Sequence, residues 1–148
     1  ETATALLDRL SIEGAQLALA TLTGVENGSI LPLHQPIDGI SHAPKLTVSD
    51  ARVRWDDPAL AIDRRIRAVT KEPGAWTMHG EVRIKLGPVT VSPQVTDLAP
   101  GQVVLREGEV LVGTGSHAIA LDTVHEAGRN ISDAKVWFNN QSSSVVFA

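Results

Sequence analysis

Cysteine is absent from this 148-residue chain, so neither a disulfide nor a thiolate metal site can form, and the composition suits a reducing compartment. Aromatic residues make up only 3% of it, so a core has to be assembled from Leu, Val, Ile and Ala, which the 43% apolar content supplies. No apolar run approaches the ~20 residues of a spanning helix. No signal-peptide pattern opens the chain either, and its expected location is cytoplasmic. The chain begins at Glu1 rather than methionine, and residue 1 is not read as a natural start. Excess positive charge is missing too: the net charge of −4 argues, for the chain as a whole, against a nucleic-acid binder. The length suits one medium domain, or a small domain carrying an extra segment.

Charge is nevertheless unevenly placed. From Lys45 to Lys85 there are nine Lys/Arg against six Asp/Glu, a net of +3, which leaves −7 for the rest. This is a modest local electrostatic footprint in an acidic chain. At its centre lies WDDPALAIDRRIRAVTKEPGAW, Trp55 to Trp76. Asp57 is placed to cap a helix and Pro58 to occupy its first position. Leu60, Ala61, Ile62, Ile66 and Val69 recur at helical spacing, while Asp63, Arg64, Arg65 and Arg67 fall mostly on the other side. Pro73-Gly74 stops the helix. A basic helical face is ordinarily just solvated; here the surrounding charge favours a surface that meets an anion.

Before this helix, Thr2 to Leu10 reads as one helix, and Ser11 to about Glu26 as a second that ends at Asn27-Gly28. Ser29 to Pro44 holds three prolines and reads as an extended tether. Its His34 and His42 match no metal spacing, and no metal is expected. In KLTVSDARVRW, Val53 and Trp55 alternate with Arg52 and Arg54, which predicts a short strand with its arginines outward. After the helix, short runs at Trp76 to Met78, Val82 to Leu86, Val89 to Val91, Gln102 to Arg106, Val110 to Val112 and Ala118 to Val124 are separated by Gly/Pro turns. The pattern predicts a mainly β fold with flanking helices: a small antiparallel barrel of the OB type after a helix pair and an extended linker. Ser132 to Asn139 is predicted to be a terminal helix capped by Ser132 and burying Val136 and Trp137, with a short apolar tail trailing behind.

No catalytic constellation is visible. Gly113-Thr114-Gly115 lacks the GK[ST] and the helix of a phosphate loop, and a hairpin connection is the simpler reading. Ser116, His117 and His125 have nothing in the sequence that orders them into a hydrolase. His79 reads as a solvent-facing loop residue.

In order along the chain, ETATALLDRL, HAPKLTVSDARVRW, IDRRIRAV, PGAW, LAPGQVV, GEVLVGTGSHAIAL and GRNISDAKVWF resemble the C-terminal part of the methionyl-tRNA formyltransferase family. The resemblance covers nearly the whole chain and is most specific from APKLT through the RRIRA helix. It implies that residues 1–28 end a Rossmann-like catalytic domain, that 29–45 are the linker, and that 46–148 are the OB-like C-terminal domain. It further implies a parent enzyme that transfers a formyl group from 10-formyltetrahydrofolate to methionyl-initiator tRNA. The catalytic Asn, His and Asp and the SLLP loop of that family belong to the other domain and have no counterpart here, so no catalytic residue and no cofactor is expected in this chain. The partners implied are the initiator tRNA and the N-terminal catalytic domain. By motif, Lys45 matches the basic linker end, and Arg64, Arg65 and Arg67 match the basic helix. With Arg52, Arg54, Arg83, Lys85 and Arg129 they make up the candidate tRNA contacts. Gly128-Arg129-Asn130 stands where the family usually has Gly-Lys-Lys, one positive charge fewer. Two rival expectations are the same module from an amino-sugar formyltransferase and a stand-alone OB-like interaction domain.

Overall fold

The computed structural model describes residues 1–142 and 144–148. Its contacts divide the chain into two compact units, one holding Ala3–Lys45 and the other Leu46–Ala148.

The smaller unit is built on α1 (Ala3–Glu26), a single helix of 24 residues. Two helices are predicted here, and the break at Ser11 does not occur. The Ser11 hydroxyl donates back to the Asp8 carbonyl at 2.7 Å, so it sits in the helix interior instead of capping a new start. Arg9, bonded to both Glu1 and Glu13, further ties the turns on either side of Ser11. The helix does end at Asn27-Gly28, where Asn27 Oδ1 accepts the Ser29 N–H at 3.0 Å and Ile30 folds back to bond the Gly24 carbonyl. Leu7, Ile12, Leu17, Leu19 and Leu22 on this helix are all about two-thirds exposed.

In the larger unit, α2 (Ala59–Val69) buries Ala59, Ile62, Ile66 and Val69, whereas Leu60 and Ala61 of the predicted stripe face outward. Asp57 does not cap it. Its carboxylate is taken by the Arg54 guanidinium at 3.0 Å, and the cap position falls to Pro58, which has no side-chain donor or acceptor. The first helical N–H, that of Ala59, is satisfied instead by the Ser116 hydroxyl at 3.0 Å, supplied from 57 residues away.

The predicted strand before the helix is a turn at 48–51 followed by one parallel bridge, Arg52 to Trp76. Its side-chain alternation does hold: Ala51, Val53 and Trp55 are buried, and Arg52 and Arg54 are exposed.

Among the described residues, nine antiparallel strands follow. One sheet has β1 (Trp76–His79), β2 (Val82–Leu86), β7 (Thr123–Glu126) and β8 (Ser132–Asp133) in the order β1-β2-β7-β8. The other has β3 (Val89–Ser92), β4 (Gln102–Arg106), β5 (Glu109–Val112), β6 (Ala118–Leu121) and β9 (Val145–Val146) in the order β3-β6-β5-β4-β9. The predicted class holds, a small antiparallel β domain with helices around it, but its strands form two sheets and no closed barrel. The reason is a pair of corners. The chain turns between β2 and β3 at Gly87-Pro88, and Ala118 to Val124, predicted as one strand, turns at Asp122 between β6 and β7. At this corner the Gly87 N–H bonds the Thr123 carbonyl at 3.0 Å, and a side chain on Gly87 would run into the Thr123 hydroxyl. The outer edges are linked by Met78 and Ala148, which exchange backbone hydrogen bonds at 2.9 and 3.1 Å.

The core joins Ile84, Leu86 and Val124 of the first sheet, Val103, Val110, Val112, Ile119 and Leu121 of the second, and the buried face of α2. At one end Trp55, Phe147 and Trp137 pack as a row, with ring centroids 5.5 and 5.7 Å apart. The C-terminal residues therefore do not trail: β9 pairs with β4, and Phe147 is 3% exposed. Helix α3 (Ala134–Asn139) is capped by Asp133, not Ser132, because Asp133 Oδ1 accepts the Lys135 and Val136 N–H groups. It buries Trp137 but leaves Val136 56% exposed. His79, predicted in a solvent-facing loop, ends β1 and meets the edges of Trp137 and Phe147.

Candidate nucleic-acid interface

The outer face of the first sheet is where the structure gathers cations. Ile84, Leu86 and Val124 point into the core, so the alternate residues of β2 and β7 point out. The register places Trp76 opposite Lys85, and Lys85 opposite His125, in one line across three strands. Arg83 lies one outward step along β2, opposite Met78, and its guanidinium rests over the Trp76 ring, 4.3 Å from the centroid. Arg52, held beside β1 by the backbone pairs Val53 N–H to Trp76 O and Trp76 N–H to Ala51 O, places a second guanidinium 5.5 Å from the same centroid.

The 48–51 turn links this face to the basic helix. The Trp76 indole N–H donates to the Val48 carbonyl at 2.6 Å, and Arg65 Nη1 donates to the Asp50 carbonyl at 2.9 Å. Asp50 stiffens the turn from within, its carboxylate accepting the Thr47 hydroxyl at 2.7 Å and N–H at 2.8 Å. These bonds, with the nearby Arg65 charge, hold the Asp50 carboxyl below its ordinary pKa. Arg64 and Arg65 line a shallow groove of about 410 Å³ between α2 and Leu46. A second cavity, of about 340 Å³, opens beside the sheet face and is lined by Lys85, Gly87, Pro88, Thr123, His125 and Ile131.

The nine residues named from the sequence thus separate by partner. Arg54, Arg67 and Arg129 are held by Asp57, Asp63 and Glu126. The Asp63 contact also keeps the Arg67 guanidinium protonated beyond its usual range. Arg52, Arg83 and Lys85 come together around Trp76; Arg64 and Arg65 flank the turn that Trp76 anchors. None of these five is among the described ion pairs. Lys45 is exposed at the end of the smaller unit. Sequence reasoning missed Trp76 and His125 as members of the face. Trp76 carried a usable signal, since it is an aromatic residue opening a predicted strand within the basic segment, with Met78 sharing its side by alternation.

The Gly113–Ser116 segment is a hairpin connection between β5 and β6, as predicted. Gly115 lies so close to the Asp56 carbonyl that a Cβ would collide with it, and its N–H bonds Asp57 O at 3.0 Å. With Ser116 occupied on α2, this glycine loop serves packing and capping. Among the described residues, no group of three or more His, Cys, Asp or Glu could hold a metal ion, and no helix is long and apolar enough to cross a membrane.

Comparison with known proteins places this architecture. Methionyl-tRNA formyltransferase from Mycobacteroides abscessus is 51% identical over 137 residues, 93% of this chain and 44% of that protein. Proteins of the same name from Paenarthrobacter aurescens and Salinispora tropica are 49% and 46% identical over the same shares. The chain therefore spans under half the length of these curated relatives. Among solved structures, a variant of HypX from Aquifex aeolicus matches with a TM-score of 0.65 at 20% identity, over 87% of this chain and 23% of that one, a likeness of fold alone. Residues 45–142, which contain the sheet face, the turn and the basic helix, match the family described as formyl transferase, C-terminal domain, and the chain belongs to that family.

Proposed function

We propose that this chain is the C-terminal, tRNA-positioning part of a methionyl-tRNA formyltransferase. The parent enzyme transfers a formyl group from 10-formyltetrahydrofolate to the amino group of methionyl-initiator tRNA in the cytoplasm. The chain itself performs no chemistry, and the OB-like domain from Leu46 onward holds the RNA while a separate catalytic domain reacts. Residues 1–28 belong with that catalytic domain, whose surface would cover the exposed leucines of α1, and 29–45 form the linker, with Lys45 at its end as a further RNA contact.

The observation that carries this reading is a set of cations that enter no ion pair among the described residues, Arg52, Arg64, Arg65, Arg83 and Lys85, on one stretch of an acidic chain. Phosphate neutralisation by Lys and Arg is the main source of RNA affinity and is steeply salt-dependent.

Retention of the chain on immobilised initiator tRNA tests the proposal. The expected dissociation constant is ~10⁻⁴–10⁻⁶ M, near the nonspecific range, weakening steeply from 50 to 200 mM salt. Sub-micromolar, salt-insensitive binding overturns it. So does no retention at low salt, which would leave an amino-sugar formyltransferase module or a stand-alone interaction domain.

A further inference from the structure

We propose that Arg52, Trp76 and Arg83 form a preassembled clamp for one phosphate of the RNA backbone, in which Trp76 is the positioning residue and does not stack on a base. The inference rests on the RNA reading above and adds to it the group bound and the part each residue plays.

Among the described residues, five of the nine arginines form an ion pair with a carboxylate and four do not. Arg9, Arg54, Arg67, Arg106 and Arg129 are each paired with a carboxylate. Arg52 and Arg83 are not. They come from positions 31 residues apart and converge on one indole, at 5.5 and 4.3 Å from its centroid. Two guanidinium ions brought to the same ring repel each other, and among the described residues neither forms an ion pair with a carboxylate. Each ring contact offsets part of that repulsion. A pair of cations held together in this way is poised for an anion that touches both.

The backbone makes the pair rigid. Arg52 is fixed beside Trp76 by the main-chain hydrogen bonds that its neighbours Ala51 and Val53 make with Trp76, and Arg83 is diagonal to Trp76 on the paired strand. The indole is in turn pinned by its N–H to the Val48 carbonyl at 2.6 Å. Guanidinium forks already ordered against a ring lose less freedom when they bind a phosphate than free ones would. With arginines over its ring, Trp76 is a poor platform for a base. Lys85, opposite Trp76 in the register, lies where the next phosphate along a backbone would find a cation.

The test compares the full chain with three variants, R52Q/R83Q, W76L and W76F, in binding to initiator tRNA across a salt series. R52Q/R83Q should weaken binding roughly four- to twentyfold and reduce the slope of log K against log salt by about 2, one for each phosphate-facing cation lost. W76L keeps every charge yet should weaken binding at least threefold. W76F should stay within about twofold of the parent. Phenylalanine lacks the indole N–H just as leucine does, so the two variants separate the ring from the hydrogen bond. If W76L proves unfolded by circular dichroism, R52Q/R83Q, altered only at exposed side chains, still decides the matter.

A short single-stranded RNA and its abasic counterpart should bind equally. Preference for the strand that has bases, or unchanged binding by R52Q/R83Q or W76L, overturns the clamp. These outcomes are distinct from failure of the functional reading, in which the parent chain itself shows no salt-dependent binding to tRNA.

Discussion

Replacing Phe147 with alanine probes the fold where its architecture is least expected. The residue is the last but one of this sequence, yet it is 3% exposed and sits between Trp55 and Trp137 at centroid distances of 5.5 and 5.7 Å. Its backbone N–H also bonds the Gly101 carbonyl at 2.8 Å. Removing the ring takes away a buried phenyl group and two aromatic contacts, and the surrounding rings are too large to collapse fully into the gap. Phe→Ala changes in such sites cost about 3–5 kcal/mol. A domain the size of Leu46–Ala148 has a total stability of roughly 5–15 kcal/mol. F147A should therefore forfeit a large share of it, while F147L, which keeps most of the apolar volume, should lose well under half as much.

Urea unfolding followed by tryptophan fluorescence measures this directly, because Trp55 and Trp137 flank the site. The expected result is a large fall in the midpoint with little change in the m-value, which would mean the same cooperative unit unfolding from a less stable native state. A loss below about 1 kcal/mol for F147A would show that the C-terminal segment is not part of the core, and the packing argument would fail with it.

Three further outcomes follow from other contacts. S116A should destabilise the domain by about 1 kcal/mol, the usual cost of removing a helix cap, and an unchanged urea midpoint would mean that Ala59 finds another partner. The Asp50 carboxyl is held below its ordinary pKa by Thr47, so its contribution is present above the ordinary carboxylate range and is lost as pH falls through the lowered value. The gap in melting temperature between the parent and D50N should accordingly shrink on acidification from pH 6 to 3; a constant gap would rule this out. In tRNA retention, R54Q and R129Q should stay within about twofold of the parent, since Asp57 and Glu126 already neutralise those charges, whereas R64Q and K85Q should each weaken binding more than that. Equal losses across the four would mean that charge count alone matters.

How much of the fold can be read from the residues depends on the reach of each signal. The short strands are legible because alternation and Gly/Pro turns are local: Val82 to Leu86 and Gln102 to Arg106 are observed with the predicted bounds. The end of α1 at Asn27-Gly28 is local too. Misreadings cluster where a local signal competes with a distant or stronger partner. Asp57 has the residue type and position of a cap, but an arginine three residues earlier claims its carboxylate, and the cap comes from Ser116. Ser11 looks like a helix start, but its hydroxyl is satisfied by the turn behind it. The corner at Asp122 is a single polar residue in the run Ala118 to Val124, with strand-forming residues on both sides, and only the partner strands show that the two sides belong to different sheets.

The same distinction governs the interface. A sequence reports that a residue is charged; it does not report whether that charge is already met. Arg64, Arg65 and Arg67 look alike on one helix, yet Arg67 is bound to Asp63 one turn earlier, Arg65 holds a carbonyl of the 48–51 turn, and Arg64 is exposed. The i,i+4 pairing of Asp63 with Arg67 could have been anticipated from spacing. No spacing rule brings Arg52 and Arg83 to one ring, because that meeting needs the β1–β2 register and the parallel bridge at the same time. An aromatic residue opening a strand in the middle of a basic segment is the signal that could have found it. It works because a tryptophan too wet to be core and too ordered to be loop needs something to hold, and here it holds two of the five cations that enter no ion pair among the described residues.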